Sequence, residues 1–179
     1  MATAALRRWG WPVAAALAAL VLVALAVHGR RPDPGLVRFE AAGPMREIAP
    51  EAVSEVEVTS AGRRWRFARG PGSTWMFAGS EAGADSGRVE RALRLLHDSA
   101  PQRVLAADEV GGTLLVEFGL EPPRYRVTVR ATGAAPFTIA FGAPNPQGLA
   151  QYARVEGRAE LLLLSRFVGA EWEAATAPR

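Results

Sequence analysis

The sequence predicts an α+β protein: a single N-terminal transmembrane helix, then two small antiparallel β-sheets with one amphipathic helix packed on them and a short C-terminal helix. Three observations carry this. A charge-free apolar stretch, WGWPVAAALAALVLVALAV, runs from Trp9 to Val27. Beyond Pro50 the hydrophobic pattern alternates in short runs broken by Gly/Pro-rich turns, which is the period of half-buried strands. In ADSGRVERALRLLHD the period lengthens to that of a helix.

The apolar stretch is roughly 19 residues long, and at about 1.5 Å per residue it reaches about 28 Å, close to the thickness of a bilayer core. Trp9 and Trp11 stand where interfacial indoles belong, behind Arg7 and Arg8, and Arg30 and Arg31 follow the span. The alternative is a cleaved signal peptide, because Ala24-Leu25-Ala26 has the small-x-small form of a cleavage site. Read as an anchor, residues 1–29 place the chain in a bacterial inner membrane as a single-pass protein, N-terminus cytoplasmic and bulk periplasmic, with the membrane itself as a partner. Residues 30–50 hold a cluster of prolines without a sustained period and read as a linker. Residues 51–174 form the extracytoplasmic α+β domain and 175–179 a tail.

The formal charge of +3 does not indicate nucleic acid. All 21 basic residues are arginines, and Arg7, Arg8, Arg30 and Arg31 flank the leader, so 17 arginines remain to meet 18 carboxylates, a net of −1. The folded part therefore exerts no net pull on a polyanion. The absence of cysteine excludes disulfides and thiolate metal sites.

Element by element, VSEVEVTS (Val53 to Ser60), a turn at Ala61-Gly62 and RRWRFAR (Arg63 to Arg69) predict a hairpin. Gly70-Pro71-Gly72-Ser73 turns the chain into a short third strand, Thr74 to Phe77. These strands share an apolar layer of Val56, Val58, Trp65, Phe67, Trp75 and Phe77. In the following helix Val89, Ala92, Leu93 and Leu96 fall at i, i+3, i+4 and i+7, Asp85 or Ser86 caps the start, and Glu90 and Arg94 form an i,i+4 pair. Residues 101–118 carry a weak pattern. A second meander follows: Tyr125 to Ala131, Phe137 to Phe141, Gln151 to Val155 and Leu161 to Ser165, closed by a helical stretch from Arg166 to Ala174.

ADSGRVERALRLL, EFGLEPPRYRVTV, FTIAFGAPNPQGLAQYARVEG and LLLLSRFV, in that order, resemble the family known as domain of unknown function 4340. The resemblance spans roughly Ile48 to Val168. It rests on the corner Gly119-Leu120-Glu121-Pro122-Pro123, on Phe141-Gly142 and on Tyr152-Ala153-Arg154. It implies a membrane-anchored auxiliary protein of an ABC-type transport or gliding-motility assembly, and it implies no catalytic or ligand residues.

The chemistry-bearing residues point the same way. Glycine-rich phosphate loops and the G-x-S-x-G nucleophile elbow do not occur, and His28 and His97 lack ligand-spaced neighbours. The expectation is a non-catalytic interaction module without cofactor or metal, acting as an accessory subunit of a membrane protein complex. An exported glycan- or lipid-binding module is the alternative, with Trp65, Trp75 and Tyr152 lining a cleft. The candidate contact surface is a row of guanidinium groups. In RYRVTVR, Arg124, Arg126 and Arg130 share a face, and Arg64 and Arg66 are similarly placed on their strand. Either this row is the wet face of a sheet or it binds anionic groups.

Overall fold

A computed structural model describes residues 16–24, 42–79, 83–110 and 115–177. The chain divides into two units, Met1–Arg38 and Phe39–Arg179. In the first, the described residues 16–24 are helical (α1) and solvent-exposed along their length. Among the described residues no helix is long and apolar enough to cross a membrane, so the single-pass inner-membrane reading is corrected. The composition of the apolar stretch permits a span without specifying a helix of that length. Arg7, Arg8, Trp9, Trp11, Arg30 and Arg31 lie outside the described residues.

The second unit is built on one eight-stranded sheet, and the expectation of two small sheets is corrected here. The strands are β1 (Val53–Ser60), β2 (Arg63–Arg69), β3 (Trp75–Phe77), β4 (Arg103–Leu105), β5 (Tyr125–Ala131), β6 (Phe137–Pro144), β7 (Ala150–Val155) and β8 (Leu161–Ser165). Their order is β3-β2-β1-β5-β6-β7-β8-β4, and every pairing is antiparallel. The seam is β1 against β5, where Val56 stands opposite Val129 and Val58 opposite Val127. Both strands carry valines on one side and charged or hydroxylated residues on the other. Joining them merges two apolar layers into one and removes two strand edges.

Helices α2 (Ser86–Asp98) and α4 (Arg166–Ala175) contribute to one core with the inward side of the sheet; a third, α3 (Ala107–Val110), is a single turn. The α2 period predicted the buried set Val89, Ala92, Leu93 and Leu96, and Asp85 caps the helix by accepting the Arg88 N–H at 3.0 Å. Facing them are Val56, Val58, Phe67, Trp75, Val127, Val129, Ile139 and Phe141, all 1% exposed or less. Trp65 and Phe77 pack against this core from its margin. From α4 come Val168 and Trp172.

Part of the stretch read as linker is bound to the domain. Gly43 and Met45 donate backbone hydrogen bonds to His97 and Leu96 carbonyls at 2.9 and 3.1 Å, and Met45 is buried. A Cβ at Gly43 would lie 2.1 Å from the Leu96 oxygen, so only glycine allows this approach. The sequence offers no hydrophobic period here, because docking is through backbone.

Two polar networks tie helices to sheet. Arg69 lies over the Trp75 ring, 4.6 Å from its centroid, and donates to the carbonyls of Val53 and Pro50 at 2.6 and 2.7 Å. Its guanidinium also pairs with Glu90 of α2, whose carboxylate accepts the Trp75 indole N–H at 2.9 Å. At the other helix, buried Gln151 accepts from the Tyr125 hydroxyl at 3.3 Å and from Arg166 at 3.1 Å, and donates to the Gly142 carbonyl at 2.8 Å. Gly169 of α4 sits directly above that cluster.

Candidate functional site

The side of the sheet away from α2 and α4 carries the charged residues, and the pairing registers set them in cross-strand rows. One row reads Arg64, Thr59, Arg126, Ala140, Arg154; the next reads Arg66, Glu57, Thr128, Thr138. Glu55 and Arg130 form a third. Glu156 extends the second row by donating its backbone N–H to the Thr138 carbonyl at 2.9 Å. The Thr128 and Thr138 hydroxyls lie 3.2 Å apart.

Of the five arginines predicted as an anionic contact surface, the fold brings together Arg64, Arg66, Arg126 and Arg130. Arg124 precedes β5 and turns to α4, where it stands 3.6 Å from Glu173. Most of the row is paired in place. Glu57 receives both Arg64 at 3.4 Å and Arg66 at 2.7 Å, and Glu55 receives Arg130 at 3.2 Å. The hydrogen bond to Glu57, and then its charge, raise the Arg66 guanidinium further above its ordinary value. These are solvent-screened surface pairs that add little to stability. What they do is set a fixed alternation of sign.

Arg126 is exposed and stands outside these pairs. It lines a cleft of about 320 Å³ whose floor includes Thr138, Ala140 and Arg154. The walls are the segment Leu115, Leu120, Glu121 and Pro123 on one side and Glu156-Gly157 on the other. None of Arg154, Glu121 and Glu156 was among the five residues expected to form the contact surface. The alternation in QYARVE puts Arg154 and Glu156 on one face, but only the β6–β7 register brings Arg154 into the same row as Arg126.

The corner that walls the cleft is seated by glycine. Gly119 has φ +63°, and the Ala143 N–H donates to the Phe118 carbonyl at 2.8 Å. A Cβ on Gly142 would fall 2.2 Å from the Phe118 oxygen. Phe118 meets Tyr152 edge-on, ring centroids 4.8 Å apart. The corner, the Phe141-Gly142 pair and Tyr152 are thus one docking unit, which gives those sequence signatures a structural role.

Of the aromatic residues named for a ligand cleft, Trp75 and Tyr152 are otherwise occupied, while Trp65 lines, with Arg63 and Phe77, a cavity of about 580 Å³. Trp75 is 1% exposed in the core, Trp65 packs at its margin, and Tyr152 holds Phe118. The Tyr125 hydroxyl, 4% exposed, is pushed well above its ordinary range by burial first and by the Glu173 charge second. It stays protonated as a donor to Gln151 and serves to hold α4. His97 ends α2 with Nδ1 2.7 Å from Asp98, Glu109 pairs with Arg103 at 3.1 Å, and among the described residues no cluster of His, Asp or Glu could hold a metal ion.

Comparison of the chain with protein-family models, with curated proteins and with solved structures gives no match.

Proposed function

We propose that the Phe39–Arg179 unit is a non-catalytic interaction module, an accessory subunit of a larger protein complex that presents the outer face of its sheet to a protein partner. One observation carries the reading: that face sets the glutamates of β1 between the arginines of β2 and β5, while Phe67, Trp75, Phe141 and Trp172 are spent on the core. A patterned surface of both signs selects a partner of complementary pattern and repels mismatched ones, contributing more to specificity and association rate than to affinity. The resemblance to the 4340 family supplies a class for the complex, an ABC-type transport assembly.

The test is charge reversal within the pattern. Full-length chain carrying Arg66→Glu and Arg130→Glu is expressed in the host, crosslinked and recovered beside the wild type. The reading expects a partner recovered with the wild type to be lost with the double variant, while the variant's melting temperature stays within a few degrees. Equal recovery of the same partner by both chains would remove the outer face from the interaction.

A further inference from the structure

The outer face treats its charges in two ways. Around Glu55 and Glu57, opposite charges have closed into pairs at 2.7 to 3.4 Å. In the cleft beside them two arginines and two glutamates, Arg126, Arg154, Glu121 and Glu156, line one space of about 320 Å³, yet no guanidinium among them closes to within ion-pairing distance of a carboxylate there. Arg154 is steadied by donating its Nε to the Arg158 carbonyl at 3.2 Å. Arg126 and Arg154 share a row with Ala140 between them. Two strand spacings set their Cα atoms about 9.6 Å apart, a span two arginine side chains can close on one oxyanion. The small Ala140 side chain leaves the floor between them low, and the Thr138 residue on the next row also lines the space.

We propose that this cleft binds a small zwitterion, an oxyanion with an ammonium group a few bonds away. The oxyanion lodges over Ala140 between Arg126 and Arg154, whose forked donors suit phosphate or carboxylate. The ammonium meets Glu121 and Glu156. A bare polyanion is disfavoured by the two carboxylates, and a simple amine by the two guanidiniums, so the cleft selects ligands that carry both signs. The volume suits a ligand of the size of a phosphorylated amino alcohol or an amino acid. The binding goes beyond the interaction reading and does not depend on it.

The probe is phosphoethanolamine, titrated calorimetrically into the full-length protein, with inorganic phosphate and ethanolamine alone as comparisons. Saturable phosphoethanolamine binding is expected, with weaker phosphate binding and none by ethanolamine. Arg126→Gln and Arg154→Gln should each weaken it about tenfold or more, as loss of a charge-assisted contact does. Glu121→Gln should weaken phosphoethanolamine while sparing phosphate. Ala140→Leu fills the floor without changing charge and should abolish binding, whereas Arg94→Gln, exposed on α2 across the sheet, should leave it intact. Far-UV circular dichroism confirms that each variant is folded. Cosedimentation with vesicles containing phosphatidylethanolamine, against vesicles of phosphatidylcholine, tells a lipid headgroup from a free ligand. Absence of saturable binding by folded wild type in both formats would overturn the proposal. So would binding indifferent to Arg126→Gln and Ala140→Leu, and phosphate binding as tight as phosphoethanolamine would overturn the zwitterion.

Discussion

Replacing Gly169 by alanine should separate α4 from the sheet. An added Cβ would lie 2.1 Å from the Gln151 Oε1 and 2.3 Å from the Tyr125 hydroxyl, both in buried side chains already committed to each other, to Arg166 and to the Gly142 carbonyl. Overpacking of that kind costs about 1–3 kcal/mol. Weakening the buried hydrogen bonds adds about 1–3 kcal/mol, and the helix propensity of alanine over glycine returns about 1 kcal/mol. The net is a loss of about 3 kcal/mol, or roughly 10 °C in melting temperature for a domain of this size. Gly87→Ala in the first turn of α2 is the control, because its Cβ would meet nothing nearer than Asp85 Oδ1 at 3.7 Å. There, propensity acts alone and stability should hold or rise by up to about 1 kcal/mol. Urea denaturation of the three chains reads both signs. A Gly169→Ala protein as stable as wild type would refute the seating of α4 on Gln151.

Three further outcomes follow from the same structure. Glu90→Ala strands the mostly buried Arg69 guanidinium and the Trp75 indole N–H, so a loss of about 3 kcal/mol is expected; Glu90→Gln, which keeps an acceptor, should lose less, by urea midpoint. Tyr125 has a folded pKa raised above its unfolded value of 10.0, so its contribution is complete below that pH and is lost as pH rises beyond it; stability should fall above about pH 10 in the wild type, and Tyr125→Phe should flatten that limb. Gly142→Ala forces the Phe118 carbonyl off β6, and limited proteolysis should then cut within residues 115–123 faster than in wild type, with about 2 kcal/mol lost.

The strands were legible because alternation is local. Val53–Ser60, Arg63–Arg69 and Leu161–Ser165 begin and end where the pattern and its turns place them. The joining of the sheet was not, since β1 and β5 are distant in sequence: Ser54 and Arg130 touch across 76 residues. Valine pairs in both strands permit the contact without selecting it from other pairings. The same gap hid the cleft, because Arg126 and Arg154 become neighbours only through β6. Residues 103–105 form the far edge strand in a segment whose period was weak; three residues are too few to show one. The glycines of the corner were visible as letters, but their reason, a backbone approach to Gly142, is tertiary.

The most direct test of the interaction reading is site-specific photocrosslinking in the host from Thr128, at the centre of the outer rows, and from Arg94, exposed on α2. The account predicts a discrete crosslinked species from Thr128 that Arg66→Glu with Arg130→Glu abolishes, and none from Arg94. A discrete species from Arg94 and none from Thr128 would place the contact surface on the helical side and contradict the account.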